Sequence, residues 1–433
     1  MEILLIGNGF DLEHKLPTSY KNFLEFCDKA RRIYTFSETA PISEYQRNNL
    51  DDWKIDTSVK EMLLSAFKER TLNKNLQEDG THITEVTTPN DLLNELYTHL
   101  YNNTWLNYFL SCPSYIGENW IDFETEISRV IQALDCARFQ VKSGGDVTNV
   151  GADNNKIPVA IWKSSKKNLR DVFKDIASID LFVEFLNNEL ERLIRALEIY
   201  IAGIVNNISI SKKNLDIEKI NPDHVLSFNY SNTYERTYGV GKSITYDYIH
   251  GKADTVKNIN TCNLVLGIDE YLDDDCKDEE LEFLTFKKYY QRIYKSTGNA
   301  YLDWAHRIKA DNAEYYRKVN LAYTGEADPL HRFPGQKRYY LDVSSIEQPE
   351  HKLYIFGHSL DITDKDVLKL LICNDNVQTK IFYHRKNADD KTALGKLIKN
   401  LVRIMGQDEL IRRTGGVCKT IELIPQTLSD NQQ

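Results

Sequence analysis

Asn229 and His250 are the residues whose types and spacing best suit chemistry. Asn229 sits in Ser227-Phe228-Asn229-Tyr230-Ser231-Asn232-Thr233-Tyr234-Glu235, directly after a strand-like run, and His250 sits in Tyr248-Ile249-His250-Gly251 after another. An imidazole that titrates near neutrality can act as a general base. An amide that both donates and accepts can orient sugar hydroxyls or a water. Together they fit attack at a sugar carbon better than hydride transfer. An asparagine after a strand can also simply fix a turn through its own backbone, so both roles stay open for Asn229.

Two further clusters follow apolar runs. Gly7-Asn8-Gly9-Phe10-Asp11-Leu12 turns a strand that opens the chain, and Leu16-Pro17-Thr18-Ser19-Tyr20 then opens a helix. Glycine lets a backbone approach a phosphate closely, but a full dinucleotide fingerprint has a third glycine where Leu12 stands. The alternative is a plain strand-turn-helix corner. Ile355-Phe356-Gly357-His358-Ser359-Leu360-Asp361 closes a late strand. In that cluster Asp361 or Thr363 reads as the cap of the helix carrying Val367, Leu370 and Leu371, and His358 as a packed turn histidine. Open α/β sheets bind ligands outside the C-terminal ends of their strands, so four such clusters on one edge predict a site.

The elements that must position these residues are short apolar runs at 3–6, 224–228, 245–249, 264–268, 353–356, 379–383 and 420–423. Such runs suit the strands of a buried parallel sheet. Between the first two, 20–215 reads as helical, and its clearest helix carries Leu186, Leu190, Leu193, Leu197, Ile201 and Ile204 on one face. The predicted fold is therefore α/β, a doubly wound, mostly parallel Rossmann-like sheet with a large helical insertion after the first strand. Residues 1–20 with 216–427 would form the nucleotide-binding domain and 21–215 the helical lobe, with a cleft beside the Gly7 turn. Stretches 72–90 and 141–158 read as surface loops, 326–350 as a lid or long loop, and 428–433 as a tail. An aromatic helix is expected over 281–296, with Phe283, Phe286, Tyr290, Ile293 and Tyr294 in the core.

At 433 residues the chain exceeds one ordinary core. A hydrophobic share of 41% and a charged share of 27% are globular values, and the net charge of −10 gives no overall field for nucleic acid or an anionic membrane. The basic run 163–167 with Arg170 reads as a solvated face. No uncharged stretch approaches the ~18 residues needed to span a bilayer, and the expected location is cytoplasmic. Seven scattered cysteines, none in a C-x-x-C pair, argue against a disulfide framework and a structural zinc site.

These motifs, taken in order, resemble the AbiH family of bacterial phage abortive-infection proteins from end to end. More distantly, the order is similar to sirtuin-like domains, where a Gly-rich loop, an Asn at a strand end, a His-Gly pair and a late Gly-x-Ser-Leu build an NAD site. The resemblance implies that Asn229 and His250 are the catalytic pair, with the pyrophosphate at the turn of Gly7, Asn8, Gly9 and Phe10. It gives the adenosine side to Gly357 and Ser359, with Phe228, Gly251 and Asp361 also among the binding residues. Phe10 and Asp11 depart from the small residues usual in that loop. Asp11 would either stabilise positive charge developing on a ribose or repel a pyrophosphate. With no zinc module to match deacetylating sirtuins, the implied activity is that of the defence branch, a toxin-like hydrolysis of NAD+ to ADP-ribose and nicotinamide.

Two other readings remain at this level. One is a sensor that binds NAD or ADP-ribose without turnover and acts through its helical lobe. The other is a metal-dependent nuclease using Asp122, Glu124 and Glu126, although residues two apart on a helix diverge, which makes a solvated or capping set the simpler reading. No metal or cofactor is expected, NAD+ being substrate or ligand. The expected partners are that nucleotide, a phage-derived trigger and a further copy of the chain, with neither membrane nor nucleic acid.

Overall fold

The computed structural model describes residues 1–39, 57, 60, 91–112, 122–143, 161, 169–172, 174–269, 283–324, 345–385 and 390–427. The stretch 72–90, most of 141–158 and 326–350, the run 163–167 and the tail 428–433 lie outside them.

Six strands form one all-parallel open sheet: β1 (Glu2–Ile6), β2 (His224–Ser227), β3 (Thr245–Tyr248), β4 (His351–Phe356), β5 (Val377–Tyr383) and β6 (Ile421–Pro425), in the order β3-β2-β1-β4-β5-β6. The chain winds outward to one side of β1 and then to the other, so a topological switch point lies between β1 and β4. Alternation along β1 fills two cores. Ile3 and Leu5 pack with Leu226, Leu353, Ile355 and Trp304 on one face, while Leu4 and Ile6 pack with Phe10, Val225, Tyr234 and Phe356 on the other. A central strand covered on both faces has no polar side, which explains its uninterrupted apolar run.

Register does the positioning. Ile6 pairs with Ser227 on one side and Phe356 on the other, and Ser227 pairs with Tyr248. The strands therefore end level, and the turns beginning at Gly7, Phe228, Ile249 and Gly357 emerge together along one edge.

The run 264–268 is not a strand of this sheet. It makes a single parallel bridge, from Ile268 to Lys287, and its Leu264, Leu266 and Ile268 belong to the helical core. Apolar runs of that length read alike in sheet and non-sheet settings. The aromatic stretch also differs from expectation. Phe283 and Phe286 are buried at a single 3-10 turn, but the helix begins only at Lys288, and Ile293 and Tyr294 are exposed.

After α1 (Asn8–Glu13) and α2 (Tyr20–Thr39), the insertion contributes α3 (Asp91–Leu100), α4 (Thr104–Ser111), α5 (Phe123–Lys142) and α6 (Ile176–Gly203). The long α6 is the spine. Its N-cap Asp175 accepts from the Ser178 amide at 2.8 Å, and Leu186, Leu190, Leu193 and Leu197 are buried as their spacing predicts. Trp105 Nε1 donates to the Leu186 carbonyl and Asn103 Nδ2 to that of Glu189, each at 2.8 Å, fastening α4 to the spine. Beyond the insertion, α7 (Lys288–Tyr294) and α8 (Tyr301–Thr324) precede β4, and α9 (Lys365–Ile372) follows it. No described helix is long and apolar enough to cross a membrane.

Candidate active site

A cavity of about 900 Å³ opens where the sheet edge meets the helical lobe. One wall is the sheet edge, with Gly7, Asn8, Gly9, Asp11, Phe228, Asn229, His250, Gly357, Ser359 and Asp361. The other is the lobe, with Tyr20, Glu124, Ser128, Arg129, Leu197 and Ile201. The expected cleft beside the Gly7 turn is thus present at the switch point.

Asn229 reaches it from the turn after β2. Its Nδ2 donates to the Gly7 carbonyl at 3.0 Å, tying that turn to the end of β1, and its Oδ1 is buried with no hydrogen-bond partner in the protein. Its backbone amide meets Ser227 Oγ at 3.1 Å. The residue therefore fixes a turn, lines the cavity and carries an unsatisfied acceptor.

Asp11, on the first turn of α1, is 1% exposed. Ser231 Oγ donates to its Oδ2 at 2.6 Å, and Thr233 Oγ1 donates to Ser231 Oγ at 3.0 Å, while Oδ1 has no partner in the protein. Burial pushes this carboxyl up to about 6, against the lowering influence of Ser231, Thr233, Arg236 and Asn229.

His250 also presents an unpartnered buried atom, Nδ1. Its Nε2 lies 3.8 Å from Asp364 Oδ1. Burial first, then the charge of Lys288, holds the imidazole down to about 3, so it is neutral at physiological pH. Phe228 packs edge-on between two histidines, its centroid 5.5 Å from His250 and 4.3 Å from His358.

His358 and Glu124 complete the wall together with three residues that sequence reasoning passed over, Lys288, Asp269 and Asp364. His358 Nδ1 accepts from the Leu360 amide at 2.9 Å, as a turn histidine would, which leaves Nε2 as its N–H, 3.4 Å from Asp364 Oδ2. Against the upward push of burial, that contact with His358 holds the Asp364 carboxyl well below the usual range. Lys288 Nζ bonds Glu124 at 2.7 Å, and Asp269 and Asp364 act on it from further away. Burial pushes Glu124 up to about 7 and Asp269 up to about 6. The only signal for Lys288, Asp269 and Asp364 was charge next to apolar runs, which is common on any surface.

The expected carboxylate trio separates. Asp122 caps α5 through the Glu124 amide at 3.0 Å, Glu124 pairs with Lys288 across the cavity, and the buried Glu126 accepts from Tyr108 Oη at 2.6 Å. Only Asp122 behaves as a capping residue, and neither glutamate is a solvated bystander. Among the described residues no group of three or more His, Cys, Asp or Glu is arranged to hold a metal ion.

Gly7, Asn8 and Gly9 line the cavity, but the space expected at Gly9 is taken by backbone. The Gly9 amide donates to the Gly357 carbonyl at 2.8 Å and the Phe10 amide to the Gly7 carbonyl at 2.8 Å, so these donors are already engaged. A β-carbon on Gly9 would lie 2.8 Å from both the Gly357 α-carbon and its carbonyl oxygen, so the space there is filled by backbone. Phe10 is wholly buried against His14, Tyr234, Tyr238 and Phe356 and does not line the cavity. Gly251, at φ +83°, is also outside the wall, and a β-carbon on it would strike the Asn263 carbonyl. Asp361 accepts from the Thr363 amide at 3.3 Å and so caps the 3-10 turn Ile362–Asp364 that leads into α9, whose own N-cap residue Asp364 makes no side-chain cap bond, and Asp361 also lines the cavity.

The family model described as bacteriophage abortive infection AbiH matches residues 3–384. No curated protein and no solved structure matches the chain.

Proposed function

The chain belongs to the bacteriophage abortive infection family AbiH, with the role in phage defence that membership carries, and from that premise we propose that its cavity hydrolyses NAD+ to ADP-ribose and nicotinamide. The observation that carries the reading is that three residues with buried, unpartnered polar atoms, Asp11 (Oδ1), Asn229 (Oδ1) and His250 (Nδ1), line one cavity. Buried polar atoms are ordinarily satisfied. Three acceptors around one space call for a ligand rich in hydroxyl donors, such as a ribose with an attacking water.

The reaction asks for little acid–base machinery. Nicotinamide departs as the C1′–N bond breaks, its electron pair neutralising the cationic ring and leaving an oxocarbenium ion, and water then adds to C1′. Asp11 supplies negative charge beside the developing cation, and Asn229 and the neutral His250 accept from the ribose hydroxyls and the water. Asp11, Glu124, Asp269 and Asp364 give the wall a negative character that favours a cationic ring in its ground state and a cation at C1′ in the transition state. With the Gly9 amide engaged, pyrophosphate donors come from the lobe side, where Arg129 and Ser128 line the wall. The volume of about 900 Å³ is at the upper end for ligand sites and suits a dinucleotide. The likeness of the motif order to sirtuin-like domains supports the same reading.

The test is to incubate purified protein with NAD+, separate the products, and repeat with Asn229→Ala. Stoichiometric nicotinamide and ADP-ribose from wild type only is the expected result. Calorimetric binding of NAD+ with no nicotinamide released, in purified protein and in infected cells, would return the site to a sensor.

A further inference from the structure

We propose that Asp11 is the acceptor of the water's proton in this site and that Ser231, buttressed by Thr233, is the positioning residue that sets its basicity. The inference deepens the hydrolase reading and rests on it.

The two carboxylate oxygens of Asp11 have different surroundings. Oδ2 is clamped by Ser231 Oγ at 2.6 Å, and that hydroxyl accepts in turn from Thr233 Oγ1 at 3.0 Å. Ser231 and Thr233 are themselves 3% and 1% exposed, so the relay is fixed by packing. Oδ1 is buried and unpartnered, and Asp11 lines the cavity on the same wall as Asn229. One oxygen is held and the other is free to receive a proton, which is the geometry of an oriented base.

His250 is poorly suited to the same task. Its ring lies between Phe228 and the Asp364 carboxylate with Lys288 nearby, and burial holds it down to about 3. It can accept a hydrogen bond but has little drive to take a proton near neutrality. Asp11, pushed up to about 6 and with no cation in ion-pair contact among the described residues, is ionised at pH 7 and still basic. In the balanced step, the water oxygen bonds to C1′, the C1′–N electrons stay with nicotinamide, and the water's proton passes to Asp11 Oδ1.

Removing a hydrogen bond to the charged form raises an acid's pKa. Ser231→Ala should therefore move the acid limb of the kcat/KM profile to higher pH, with Ser231→Thr restoring it. Asp11→Asn, which keeps the side-chain shape, should abolish the limb and lower kcat about 100-fold or more. An independent readout is carbon-13 NMR titration of Asp-labelled protein, with the Asp11 resonance assigned by Asp11→Asn. It should titrate near 6 in wild type and higher in Ser231→Ala, with thermal melts verifying that each variant is folded. Turnover whose acid limb is unmoved by Ser231→Ala, or persists in Asp11→Asn, overturns this assignment and leaves the hydrolase standing. An Asp11 resonance that shifts as expected in a protein releasing no nicotinamide overturns the hydrolase, and with it the proton transfer, while retaining the tuned carboxyl.

Discussion

The amide of Gly9 donates to the carbonyl of Gly357 at 2.8 Å, joining the turn after β1 to the turn after β4 at the switch point of the sheet. A β-carbon on Gly357 would come within 2.1 Å of the Phe10 nitrogen, and Gly357 also holds φ at +68°. Its glycine is required twice over, by space and by backbone conformation.

Gly357→Ala and Gly9→Val should accordingly damage folding before they damage binding. Overpacking against backbone, with a strained φ added at Gly357, puts the loss at about 3 kcal/mol or more. Urea denaturation curves measure it. A variant with a wild-type midpoint and weakened NAD+ affinity would instead support the open phosphate cradle that the sequence suggested.

Asn229→Ala and His250→Ala should stay folded and lose NAD+ turnover. Asn229→Ala forfeits the bond to Gly7, a net effect of about 1 kcal/mol on stability. The loss of turnover should be far larger, on the order of 100-fold or more for either variant. Thermal melts and nicotinamide release separate the two effects, and near wild-type turnover in a folded double variant would remove both residues from the chemistry.

How legible this was in the sequence depended on the range of the interaction. The inner strands at 3–6, 224–228 and 353–356 were readable because burial on both faces forces a largely apolar run, whereas β5 and the edge strands β3 and β6 are interrupted by Lys380, Asp247 and Glu422 and were readable only as short runs bounded by turns. Asn229, His250 and Asp11 were readable because polar residues after such runs must emerge at the edge. What stayed hidden was set by contacts between distant segments. The Gly9–Gly357 junction spans the whole insertion, and the Lys288–Glu124 pair joins α7 to α5. Nothing local marks a glycine that yields space to another backbone rather than to a phosphate.

A second stability prediction concerns the seam between α6 and the segment after β3. Arg195 and Glu198 are both fully buried and bonded at 2.6 Å, Arg195 also holds Glu95, and Glu198 Oε1 receives the Asp254 amide at 3.3 Å. Glu198→Ala leaves a buried guanidinium short of a partner and should destabilise by about 3–5 kcal/mol. Hydrogen exchange should then show protection lost first around 252–264. An unchanged exchange pattern would mean that the segment is held by its apolar contacts alone.

Acid should at first stabilise this protein rather than weaken it. Glu124, Asp11 and Asp269 are pushed up by burial to about 7, 6 and 6, above their ordinary values of 4.5, 3.8 and 3.8. Between those values the folded state binds more protons than the unfolded one, so stability rises as pH falls, by at most about 1.4 kcal/mol per pH unit for each proton taken up. The contribution is complete below the unfolded values and is lost as pH rises through the folded ones. His250 works in the opposite sense. Held at about 3 against an ordinary 6.5, it removes stability as pH falls through that interval. The urea midpoint should therefore rise from pH 8 toward pH 6 and then level or decline. Glu124 titrates highest of the three carboxyls, so Glu124→Gln should flatten the limb between pH 8 and 6 while leaving the acid side in place. A midpoint that falls steadily from pH 8 downward, or a limb unaffected by Glu124→Gln, would show that the Lys288–Glu124 pair is better solvated than its burial implies.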